Sequence, residues 1–104
     1  MPQAAPRPAP DNNLLVQARA ATDAVQALLA DAAVKVRERV VLEGRPVARL
    51  LDREQRATHG LAWLATYVEA IRQLTAYAEC MQDSGLLSEV EELIVRIGLG
   101  EYLA

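Results

Sequence analysis

The sequence predicts an all-α chain, and three observations lead there. Ala, Leu and Val dominate a composition that is 52% hydrophobic and contains no Phe. Ala and Leu favour helix, and the β-branched residues never form an alternating run. The five Gly and five Pro fall almost wholly outside the stretches with helical periodicity. The expected architecture is a long antiparallel helical hairpin plus a short third helix, bundle-like and completed by self-association or by missing domains. A chain of 104 residues has room for one domain with a real core.

Residues 1–10, MPQAAPRPAP, read as a disordered Pro-rich arm, because four prolines remove backbone donors and hold the chain extended. Residues 11–104 read as a single helical domain or partial domain. Asp11, Asn12 and Asn13 are good N-cap types. The row Leu14, Ala18, Ala21, Val25, Leu28, Ala32, Val36 and Val40 then tracks a 3.6-residue repeat, which argues for globular packing over a coiled coil. Gly44 offers a left-handed helix end and Pro46 blocks continuation. Residues 47–51 read as a short connector, with room for one helical turn.

Asp52 and Gln55 resemble a capping box, so the central helix is expected from about 53 to about 82. Gly60 inside it predicts a close helix contact or a slight bend. Gly85 is the expected C′ residue. Ser88 and Glu91 make a second capping box, and Glu89, Glu91 and Glu92 suit the helix dipole. The third helix carries Val90, Leu93, Ile94 and Ile97, after which Gly98 and Gly100 loosen the backbone. Residues 101–104 read like the opening of further helix, which predicts a partial protein.

The central helix carries two apolar rows. Leu61, Leu64, Val68, Ile71, Thr75 and Ala78 form the first; Trp63, Tyr67, Ala70, Leu74, Tyr77 and Met81 form the second. The rows lie roughly 80° apart, so about half of the circumference is apolar. That is wider than a two-helix seam needs. Leu64 and Leu74 are expected to be buried. The Ala-rich first helix and the short third helix look unable to cover both rows. Trp63, Tyr67, Leu74 and Tyr77 are therefore the expected interface residues. The expected partner is a second copy in a homo-oligomer, or the missing domains of a longer parent.

Net charge is −3, too small to imply a nucleic-acid partner. Residues 35–56 hold seven basic and four acidic side chains, and residues 57–104 hold two basic and seven acidic. The two parts are expected to attract each other within the fold or across an oligomer. Cys80 is the only Cys, so no intrachain disulfide forms, and a buried or half-buried thiol is expected. No apolar run is long enough to span a membrane, and a cytoplasmic location is the default.

The residues point to no chemistry. His59, the only histidine, has Gln55, Arg56, Ala62 and Trp63 at helical spacing, none of them an acid or a metal ligand. Gly98-Leu99-Gly100 lacks the third glycine and the preceding strand of a dinucleotide site. Arg49, Arg53 and Arg56 share a face only if the helix starts before Asp52. No catalytic, cofactor-binding or metal-ligating residue is assigned.

Two segments carry a resemblance. LLDREQRATHGLAWLATYVEAIRQLTAYAE, residues 50–79, and EELIVRIGLGEYLA, residues 91–104, resemble the N-terminal helical part of bacterial acyl-CoA dehydrogenase-like flavoproteins. The resemblance implies an oxidoreductase parent in which FAD takes a hydride from an acyl-CoA thioester and a Glu acts as base. It also implies a helical domain, a β domain and a catalytic helical bundle, assembled as dimers or tetramers. The base and most of the flavin contacts belong to parts beyond this stretch, so no cofactor is expected in this chain itself. Three readings follow: a scaffold segment of such a flavoprotein, a stand-alone helical interaction or dimerisation module, or a small enzyme or ligand-binding bundle using the arginine cluster or the aromatic row.

Overall fold

The computed structural model describes residues 13–104. The proposed arm at residues 1–10, and the candidate caps Asp11 and Asn12, lie outside them. The elements are α1 (Asn13–Val40), β1 (Val41–Leu42), β2 (Arg45–Pro46), α2 (Ala48–Arg53), α3 (Gln55–Asp83) and α4 (Glu89–Leu103). The all-α expectation holds, with an antiparallel pair of long helices and a shorter third.

The turn after α1 is built differently from the expected helix cap. Val41 pairs with Pro46 and Leu42 with Arg45 in a two-stranded antiparallel hairpin. Glu43 and Gly44 both have positive φ, 52° and 78°, as a two-residue turn with the twist of its flanking strands requires. The Val47 amide donates to the Val40 carbonyl at 2.9 Å and closes the unit. β-Branched Val40 and Val41 favour this small hairpin over another helical turn.

The connector is a true short helix, α2, and Asp52 lies inside it rather than capping α3. The junction is Glu54 (φ −104°, ψ 29°), with no side-chain cap. Its amide donates to the Leu50 carbonyl, and its carbonyl accepts from the Thr58 amide. One backbone bond thus ends at the junction and the next begins there, and α3 starts without the capping box.

Gly85 ends α3 as expected. With φ at 71° it lets the Leu86 amide reach the Met81 carbonyl at 2.8 Å and its own amide reach Gln82 at 3.0 Å, the Schellman pattern. Ser88 is the N-cap of α4, but no side-chain cap bond forms. Glu91 Oε2 is buried without a hydrogen-bond partner, so the expected box is not made. Nor does the backbone loosen at Gly98 and Gly100: α4 runs through both to Leu103.

The main core sits where three helices meet. Leu14, Leu15 and Ala18 of α1, Ile71 and Ala78 of α3, and Val95 and Leu99 of α4 form one buried cluster. On α3, Val68, Ile71, Thr75 and Ala78 of the first row are buried. Leu64 and Leu74, expected to be buried, are only half-buried. Leu64 lies in the half of α3 that α4 does not reach in force, and Leu74 stands at the edge between the two rows.

Gly98, not Gly60, marks the close helix approach. A Cβ on Gly98 would lie 2.8 Å from Leu74 Cδ1, whereas one on Gly60 or Gly100 would meet nothing within 4 Å. Gly60→Ala and Gly100→Ala should each therefore stabilise the chain by ~0.5–1 kcal/mol, the cost of glycine in a helix interior. Urea midpoints followed by circular dichroism would show this, and a loss of stability at either position would contradict the open space around it.

Candidate functional site

Along α3, residues four apart share a face, and the chain places rings at three such positions. His59, Trp63 and Tyr67 stack edge to face, with ring centroids 6.2 and 6.1 Å apart. Tyr102 of α4 extends the ladder, 5.4 Å from Tyr67. Trp63 Nε1 donates to His59 Nε2 at 2.8 Å, so the imidazole presents an unprotonated nitrogen to the indole. Edge-to-face pairs add ~0.5–1.5 kcal/mol beyond the area they bury.

Most of this row stays in the open. Trp63 is 55% exposed, Tyr67 40% and Tyr77 42%. Leu74, expected beside them at an interface, is half-buried, packed against the core and under Gly98. The sequence reasoning missed Tyr102 as a member of the row, and only the antiparallel register of α3 and α4 brings it there. Cys80 is exposed, which corrects the expected burial: it falls beside the apolar rows without being covered by either neighbouring helix.

Between α1 and α3 the pairing is polar. The Thr22 and Thr75 hydroxyls lie 2.9 Å apart, both buried, and Thr22 Oγ1 also donates to the Ala18 carbonyl at 2.8 Å. Arg19 Nε donates to Glu79, and the hydrogen bond raises the Arg19 pKa further. These groups line an open groove of about 320 Å³ together with Asp23 and Arg72. The expected attraction between the basic and acidic parts of the chain is largely replaced by local pairs. Arg39 and Arg53 both reach Glu54, at 3.6 and 3.5 Å, within the basic stretch itself.

Glu69 accepts from Arg72 and from Gln73 on the next turn. The Arg72 hydrogen bond, then that of Gln73, holds its carboxyl down at about 2. Because the folded value lies below the unfolded one, the pair's contribution is present above the ordinary carboxylate range. It is lost as pH falls toward about 2. The pair is exposed, so the effect on stability is small. A carbon-detected NMR titration should give Glu69 the low midpoint, and Arg72→Met should move it up. An ordinary midpoint in the parent chain would contradict the pairing.

The N-terminus of α4 is fringed by Glu89, Glu91 and Glu92, which repel a diphosphate, and Arg19, Arg39, Arg53 and Arg72 already hold carboxylates. The hollow of about 520 Å³ beside Gln55, Arg56, Thr58 and His59 is wide open. Among the described residues there is no cluster of three His, Cys, Asp or Glu placed to hold a metal ion. No helix among them is long and apolar enough to cross a membrane.

Comparison with known proteins bears on what such a surface serves. No protein-family model matches the chain. Over 92 residues, 88% of its length, it is 44% identical to part of (2S)-methylsuccinyl-CoA dehydrogenase from Cereibacter sphaeroides. The matched part is 17% of that enzyme. The chain is thus homologous to a segment of an acyl-CoA dehydrogenase-family flavoprotein, as the two sequence segments implied.

Proposed function

We propose that the chain is a helical scaffold segment of an acyl-CoA dehydrogenase-like flavoprotein. It packs against one side of a substrate and flavin site whose chemistry other parts supply. The observation that carries this reading is the extended identity with one such enzyme. The geometry supports it: rings in the open on α3 suit a surface that another domain covers. In this reading Trp63, Tyr67 and Tyr77, with Leu74 at their margin, face the remaining domains. The protein is cytoplasmic, FAD is bound elsewhere, and no base, flavin contact or metal ligand comes from these residues.

The test is complementation. A (2S)-methylsuccinyl-CoA dehydrogenase lacking its matched segment should recover stability or acyl-CoA-dependent flavin reduction when this chain is added. Trp63→Ala with Tyr67→Ala should weaken that recovery. Failure to bind the truncated enzyme would refute the scaffold reading, and so would stoichiometric FAD binding by this chain alone.

The apolar residues left open on α4 favour a second reading, a helical interaction module that works by association and without turnover. It predicts self-association whether or not any dehydrogenase is present.

A further inference from the structure

Helix α4 is apolar on two opposite sides. One side, with Val95 and Leu99 buried and Gly98 against Leu74, packs into the core. The other carries Val90, 62% exposed, Leu93, 52%, Ile94, 54%, and Ile97, 72%. These four lie within roughly 100° of arc, facing away from α3. Nothing among the described residues covers them. The apolar residues on the third helix that the sequence brings forward first are therefore not the ones that hold it to the chain.

We propose that this outer face of α4 is a self-association surface, on which a second copy of the chain packs its own α4 antiparallel about a two-fold axis. Three observations favour a second copy over another occupant. First, positions 90, 93, 94 and 97 read the same in both directions. A two-fold axis between Leu93 and Ile94 sets Val90 against the partner's Ile97 and Leu93 against the partner's Ile94, the self-complementarity that an isologous contact requires. Second, Glu89 and Arg96 stand on one flank of the stripe, seven residues apart. In an antiparallel pair like flanks meet, so each Glu89 comes within reach of the partner's Arg96. Arg96 keeps its bond to Glu92 in its own chain at 3.0 Å.

Third, the area suits a dimer. The four residues expose on the order of 400 Å², already large for a monomer. Glu89, Arg96 and Gly100 at the margins bring the face toward the ~800 Å² per partner of a specific interface. Glu101 closes the stripe at its C-terminal end, limiting the contact to two turns and fixing its register. This contact is independent of the dehydrogenase reading and uses a different face from the ladder of rings on α3.

Sedimentation equilibrium of the 104-residue chain should show a dimer in the micromolar range. Ile97→Glu, at an exposed position where the fold has nothing to lose, should raise the dissociation constant at least ~30-fold, with the helical circular dichroism unchanged. In a Cys80→Ser background, a mixture of Val90→Cys and Ile97→Cys chains should cross-link on oxidation. Val90→Cys alone should not, because the two copies of that residue sit at opposite ends of the contact. A chain that stays monomeric would overturn the proposal and leave the face to another protein. So would a dimer that survives Ile97→Glu but is broken by Trp63→Glu, since that moves the contact to the ring ladder. Self-cross-linking of Val90→Cys would overturn the antiparallel arrangement.

Discussion

Ile71→Ala should lower the stability of the chain by ~2–5 kcal/mol, the largest loss expected from any single truncation of the core. Ile71 is 1% exposed and belongs to the cluster that joins all three helices. Its neighbours come from three elements, so no one of them can settle into the space without leaving another. The cavity term is then added in full to the lost transfer free energy. Leu64→Ala, in the half where mainly α1 and α3 pack, removes atoms that are already half in water and should cost less, ~1–2 kcal/mol. Urea unfolding followed by circular dichroism measures both. Equal losses at the two positions would mean that the core is not concentrated where α4 joins it.

Gly98→Val is the second large effect, expected at ~1–3 kcal/mol. The first added carbon would stand 2.8 Å from Leu74 Cδ1 and 3.1 Å from Cδ2. Alanine is the milder case, because the obstacle is the end of a flexible side chain and a rotamer change at Leu74 relieves it. Glycine's helix penalty, removed by the same substitution, offsets part of the cost. Valine adds two branches that a single rotamer change cannot clear, so α4 must lift from α3. The contrast with Gly100→Ala, two residues along the same helix with open space around it, isolates the contact from any general effect of glycine replacement. Val at Gly98 without loss would show that α4 docks more loosely than the distances imply.

The face of α3 toward the core was legible because its buried residues follow one 3.6-residue row, and Gly85 because only a left-handed residue completes that helix end. Other features were set by registers between elements, which a single helical pattern does not contain. Leu74 is shielded because Gly98 happens to stand opposite it, and Thr75 is satisfied because Thr22 does. Asp52 misled because it has the chemistry of a cap but follows Leu50 and Leu51, whose helix had already begun. On α4 the row Val90, Leu93, Ile94 and Ile97 is the stronger periodic signal. Val95 and Leu99 take the core because α3 meets that side, and the stronger row stays exposed. The ring ladder of His59, Trp63 and Tyr67 follows from four-residue spacing alone.

The uneven placement of α4 has a consequence for motion. One end of α3 is clasped by two helices, and the other leans mainly on α1 and the six-residue α2. A single unbroken helix thereby belongs to two neighbourhoods of different strength. Local opening that frees the α2 end need not disturb the amides around Ile71 and Ala78, whose exposure requires near-global unfolding. The aromatic ladder straddles that boundary, with His59 in the weaker part and Tyr67 tied to α4 through Tyr102. Anything that settles on the ladder would stiffen the loose end without touching the core, leaving hydrogen exchange slowed in the first turns of α3 and unchanged in the last.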